Sequence, residues 1–189
     1  MARPIEYDKQ EVLDRITKAF WLKGYEGTSV SQLVNDTQLN TRTMYNLFDD
    51  KTGLFQAALE NYHESELQGM LDLLEQCESL DCLIEFVKTV GNLQYLNGCL
   101  FVNTLSEQNT ISEKSLEFVR NYFNQCEKLI VRQLEISKSK QEFTGNVEAT
   151  AGLIICFMHG YSNFVKLNKT QEGNKQMVNE FAALLAKKH

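Results

Sequence analysis

The stretch Phe20–Phe48, FWLKGYEGTSVSQLVNDTQLNTRTMYNLF, decides how this chain is read. Ser29-Val30-Ser31-Gln32 fits a capping box, a hydroxyl at the N-cap and an amide side chain three residues on, so a helix is expected to start there. Val30, Leu33 and Val34 share its inner face, and the short polar side chains of Asp36-Thr37 compete for backbone hydrogen bonds and favour a turn. Asn40 is the next good N-cap. From it a second helix, Thr41 to Leu47, would turn Met44, Leu47 and Phe48 toward the core. Its other side offers Thr41, Arg42, Thr43, Tyr45 and Asn46, hydrogen-bonding groups and one fixed cation of the kind that phosphate oxygens and base edges require. Two short helices about a tight turn, at the front of a helical chain, read as a helix-turn-helix.

The rest of the composition sets the frame. A chain of 189 residues with 43% hydrophobic content suits one large domain or two small ones. One proline and ten glycines leave long uninterrupted helical stretches, and alternating β-branched runs are scarce, so the fold class expected is all-α. No apolar run approaches the roughly 20 residues needed to cross a bilayer, and Met1 to Gln10 is too charged for the apolar core of a signal peptide; a cytoplasmic protein without a membrane partner is expected. The net charge of −6 is uneven: up to Lys51 there are seven Lys/Arg against eight Asp/Glu, and beyond it twelve against seventeen. Any contact with nucleic acid therefore rests on a local cluster such as Arg3, Arg42 and Lys51 together with helix N-termini. Five cysteines (Cys77, Cys82, Cys99, Cys126 and Cys156) without a Cys-x-x-Cys pair argue against a structural disulfide framework or a zinc site, and no cofactor or metal is expected. No Gly-rich phosphate loop, nucleophile elbow or paired acid motif suggests an enzyme.

Along the chain, a first helix is expected from about Asp8 to Lys23, stopped by Gly24. Asp49 is the candidate N-cap of a long fourth helix reaching about Leu74, with Lys51 in its first turn beside free backbone amides. Further helices are expected over Leu80 to Leu93, Cys99 to Glu107, Ser112 to about Ser137, Val147 to Leu167 and Asn174 to Lys187.

Ala19-Phe20, Gly24-Tyr25, Thr28-Ser29-Val30 and Tyr45-Asn46-Leu47-Phe48-Asp49-Asp50-Lys51 together resemble the pattern of the TetR family of bacterial transcriptional regulators. The resemblance covers about a quarter of the chain and departs at Gln38, where the family's turn usually carries glycine. It implies a three-helix DNA-binding domain over residues 1–48 and a larger helical effector-binding and dimerisation domain over 49–189. It also implies an operator of double-stranded DNA, a small-molecule effector, and a homodimer. Thr28, Ser29, Thr41, Arg42, Thr43, Tyr45, Asn46 and Lys51 form the implied DNA-binding set, with Arg42 reading a base or clamping a phosphate and Tyr45 on a phosphate.

The expected helix Val147 to Leu167 is apolar on more than one side and needs several partners. In proteins resembling this one the last two helices form the dimer contact, which here means Phe157, Tyr161, Phe164, Phe181, Leu184 and Leu185. Aromatic residues gather in the body, and Tyr62, Phe86, Tyr95, Phe101, Asn103, Tyr122, Phe123, Phe157 and His159 are the candidate lining of an effector pocket. Cys99 follows Gly98 at an expected helix start, where unpaired amides lower a thiol's pKa; it is either an electrophile or oxidant sensor or a buried small sulfur. Two alternatives to an effector-released repressor stay open: a repressor acting through Cys99, and an all-α ligand-binding protein without DNA binding.

Overall fold

The computed structural model describes residues 7–92, 97–167 and 170–186, and all regular structure among them is helical. The elements are α1 (Lys9–Lys23), α2 (Val30–Thr37), α3 (Thr41–Phe48), α4 (Lys51–Tyr62), a π-helical turn (His63–Leu67), α5 (Gln68–Gln76), α6 (Leu80–Asn92), α7 (Leu100–Ser106), α8 (Glu113–Ser139), α9 (Val147–Leu167) and α10 (Gln171–Ala186). None of the described helices is long and apolar enough to cross a membrane. Arg3 and Tyr95 lie outside the described residues.

Caps fix the front of the chain. Asp8, Ser29 and Asn40 each accept backbone N–H bonds at the starts of α1, α2 and α3. The reciprocal half of the capping box does not form, because the Gln32 amide donates to Asp36 instead (3.2 Å). Gln38 lies in the left-handed region at φ 62°, the conformation in which a side chain costs roughly 1–2 kcal/mol. Two sequence expectations are corrected here. The N-cap of α4 is Asp50, which accepts from Gly53 N–H (2.8 Å), while Asp49 takes φ 64° and closes α3 with its N–H on the Tyr45 carbonyl. Leu47 is exposed, leaving Met44 and Phe48 as the buried pair of α3.

One apolar core joins the front to the body: Phe20, Leu33, Met44 and Phe55 continue into Phe101, Val119 and Tyr122. A second core lies further back, with Leu74, Leu83, Phe86, Leu134, Ile154 and Val178 drawn from α5, α6, α8, α9 and α10. Cys77 and Cys82, at the end of α5 and in the first turn of α6, are joined by a disulfide, contrary to the expectation from their spacing. The bend between the two helices brings their Cα atoms to 5.5 Å, within bridging range.

Candidate nucleic-acid interface and body pocket

On α3, burial of Met44 and Phe48 turns Thr41, Arg42, Tyr45 and Asn46 outward, with Thr43 half-buried. Arg42 has no ion pair or hydrogen bond among the described residues. Ser29 is exposed at the start of α2, its hydroxyl shared between Gln32 N–H (3.2 Å) and Ser31 Oγ (3.0 Å). Lys51 stands at the start of α4 with its ammonium 4.3 Å from the centre of the Tyr25 ring, a cation–π contact that holds the charge in place. Tyr25 is itself braced, edge-on against Phe55 and with its hydroxyl 3.3 Å from Thr52 Oγ1. Thr28 drops out of the outward set. It is fully buried and its hydroxyl donates to the Gly24 carbonyl (2.8 Å), so it ties the α1–α2 loop rather than facing a ligand.

In the body a cavity of about 70 Å³ lies between the α4–α5 region, α7, α8 and α9. Of the expected lining, Tyr62, Tyr122, Phe123 and His159 are there. Phe86 belongs to the second core, Phe101 stands fully buried behind the Tyr62 and Tyr122 rings, and Phe157 stacks on Phe181 at 3.8 Å between α9 and α10. Asn103 faces an outer groove, where its side-chain oxygen accepts from Lys166. The wall residues that the sequence reading did not name as pocket lining include Leu67, Met70, Val102, Met158, Ser162 and Val165. Only the first two left a trace, since the buried row of α4 steps by five from Tyr62 to Leu67 before resuming helical spacing.

Cys99 lines the cavity as the N-cap of α7. Desolvation pushes its thiol pKa up, outweighing the Val102 amide, the Tyr62 hydroxyl, the Phe101 amide and Lys166, all of which favour the thiolate. Of the two readings of this residue, its surroundings favour the buried small sulfur over the activated thiol. Cys126, deeper in the same core, is pushed up to about 11 by the same cause.

Two hydrogen bonds run from Gly98-Cys99 in the pocket wall, one to α9 and one to the front helix α1. The Cys99 N–H donates to Ser162 Oγ on α9 (2.7 Å), and the Trp21 indole N–H of α1 donates to the Gly98 carbonyl (2.8 Å). Gly98 has φ 71°, and a Cβ there would sit 2.4 Å from the Ser162 carbonyl oxygen, so no larger residue fits. A second tie lies at the far end of α7, where the Glu107 carboxylate accepts from Glu26 N–H (2.9 Å) beside Gly24.

On the outer side of α9 and α10, Leu153, Phe164, Leu167 and Leu184 are exposed apolar residues, while Leu185 is half-buried. Tyr161, expected on that face, is buried and turned into the body pocket.

A solvent-facing helix-turn-helix braced on a helical body is an arrangement that DNA-binding regulators use. Residues 12–58 match the family model described as bacterial regulatory proteins, tetR family. The chain is 28% identical over 140 residues to the HTH-type transcriptional repressor ComR of Escherichia coli (strain K12), covering 61% of this chain and 64%, just under two thirds, of that one. It is 25% identical over 150 residues to the HTH-type transcriptional regulator YezE of Bacillus subtilis (strain 168), covering 77% of each. The fold is shared with a cysteine mutant of the TetR family transcriptional regulator CifR, solved with a 26-bp double-strand operator DNA, at a TM-score of 0.81, 21% identity, and coverage of 96% of this chain and 98% of that one. Residues 12–58 are thus similar to the DNA-binding region of the TetR family, and the chain as a whole shares the fold of that family's solved members.

Proposed function

We propose that this chain is a homodimeric repressor released from an inverted-repeat operator by a small-molecule effector held in the body pocket, with residues 1–48 as the DNA-reading domain and 49–189 as the effector-binding and dimerisation domain. Ser29, Thr41, Arg42, Thr43, Tyr45, Asn46 and Lys51 carry the DNA contact, and the apolar outer face at Phe164 and Leu184 carries the second subunit. The names of the relatives support this: ComR is a repressor, and CifR was solved on operator DNA.

The observation that carries the release step is the path from pocket to reading head. Gly98-Cys99 is at once a wall of the cavity, a donor to α9 through Ser162 and an acceptor from α1 through Trp21. A ligand lowers operator affinity only by binding better to a conformation whose heads are wrongly placed, and that coupling is reciprocal. A shift of this wall on ligand entry moves α1, and with it α2 and α3. Footprinting and gel-shift titration on DNA upstream of the chain's own gene, with and without small effector molecules, test the reading. A footprint over two half-sites, together with a Trp21→Phe variant that binds DNA but loses its response to effector, supports it. A footprint on a single half-site, or a Trp21→Phe variant released as readily as the wild type, would break it.

The cysteine-sensor alternative finds no support in the thiol's environment, because burial keeps Cys99 protonated. Cys99→Ser is expected to leave DNA release by electrophiles unchanged, and a desensitised variant would restore the thiol reading.

A further inference from the structure

The geometry points to an uncharged, largely apolar molecule no larger than a single ring, bearing one hydrogen-bonding group, as the class of ligand that enters the body pocket; this rests on the reading that the pocket is the effector site. Among the described residues that line it, none is Lys, Arg, Asp or Glu. A charged ligand would leave water for a wall with nothing to pair it, which is costly. Lys166, whose charge is felt at Cys99 in the wall, has its ammonium held in the outer groove by the side-chain oxygens of Asn103 and Asn163.

The group that selects the ligand's polar end is His159. Its Nε2 is shut away from solvent without a hydrogen-bond partner, at a residue that lines the cavity, and its ring is fixed edge-on against Phe123 at 4.3 Å. Burial lowers the pKa of this imidazole, so it is neutral near pH 7 and has one hydrogen bond to give or accept there. A ligand hydroxyl or carbonyl completes that bond. The cavity's 70 Å³ is about half the roughly 150 Å³ of an engineered dry cavity that takes benzene, so a single ring is the upper limit and enters only as the wall gives way. Met70 and Met158 in the wall are unbranched and can yield to a ring of that size.

Calorimetric titration of the full-length protein with phenol, toluene and benzoate separates these requirements. Phenol and toluene are expected to bind, with benzoate at least about tenfold weaker than phenol because its charge finds no partner. His159→Phe keeps a flat ring in place and is expected to weaken phenol by about fivefold or more while leaving toluene within about twofold. Val102→Trp fills the cavity and is expected to abolish phenol binding. Benzoate binding as tightly as phenol, or no binding of phenol to the wild-type chain, overturns the inference. The release reading fails separately: phenol bound in this pattern without effect on operator DNA sinks release and leaves the ligand class standing, whereas release by benzoate as effective as by phenol sinks the ligand class alone.

Discussion

Helix α3 has eight residues and divides them between two environments: Met44 and Phe48 go inward, and Thr41, Arg42, Tyr45, Asn46 and Leu47 face out. Helix α9 has twenty-one and is not divided in this way. Val147, Ala151, Ile154, Tyr161 and Val165 are buried, yet Leu153, Phe164 and Leu167 on the remaining surface are apolar and exposed. A short capped helix with two anchoring side chains has its orientation written locally. A long helix with apolar residues left over takes its setting from whatever packs on it, and the leftover surface is where the proposed second subunit would pack. The reading surface is thus fixed by side chains within a few residues of it, and the body by contacts far apart in sequence.

The largest effect is expected where the local device is removed. Met44→Ala should cost about 2–5 kcal/mol of unfolding free energy, because the side chain is fully buried and the reading helix has little else to hold it. Urea unfolding measures this, and a loss below about 1 kcal/mol would show that α3 is held from elsewhere. Phe164→Glu tests the other half of the comparison. It should give monomers in sedimentation and weaken operator binding on the order of 10²-fold, since two linked half-site contacts become one. A dimer that binds as before would place the interface on another face.

On the reading surface itself, Arg42→Ala should flatten discrimination between operator variants by about 1–3 kcal/mol if the guanidinium reads a base, whereas Lys51→Ala should weaken all sequences alike and lower the salt slope. Identical behaviour of the two variants would erase the distinction between readout and grip. Gln38→Gly should be stabilising by up to about 1 kcal/mol in urea unfolding, as the left-handed residue between α2 and α3 loses its Cβ strain. The smallest effect concerns acid. Burial lowers the pKa of His63, partly offset by Glu64, and that of His159. Their folded values lie below the unfolded value near 6.5, so their contribution is complete above about pH 6.5 and is lost as pH falls through the folded values. Denaturation midpoints at about pH 7.5 and about pH 5.5, on either side of that value, check this, and His159→Phe should shrink the difference.

The same contrast explains what could be read in advance. Asp8, Ser29, Asn40 and Ser112 cap their helices through bonds to residues two or three positions on, and such bonds are visible in the sequence. Between Asp49 and Asp50 the chemistry is identical, and only the backbone turn that closes α3 decides which one caps α4. The Cys77–Cys82 bridge depends on the angle between two helices, and spacing does not encode an angle. Tyr62, Tyr122, Phe123 and His159 stood out as candidate pocket residues by their chemistry. Met158, Ser162 and Val165 did not, because nothing in an apolar helix marks which of its sides meets empty space. For Cys99 the expected helix-start amides are present, but desolvation outweighs them.

The π-helical turn at His63–Leu67 gives the long segment from Lys51 to Gln76 a phase offset. One residue more than an α-helix needs is accommodated between Tyr62 and Leu67, which rotates everything after it by about 100° relative to everything before it. Leu54, Phe55, Ala58 and Leu59 can therefore face the front core while Met70, beyond the offset, looks into the cavity. A single-residue deletion within the turn would cancel the offset while leaving Met70 itself in place in the sequence, swinging it out of the cavity and Leu71 and Leu74 off their cores. Length is thus a contribution of this short segment beside the packing of His63 and Leu67, and substitutions at its exposed Glu64 and Ser65 should be accepted far more readily than the gain or loss of one position.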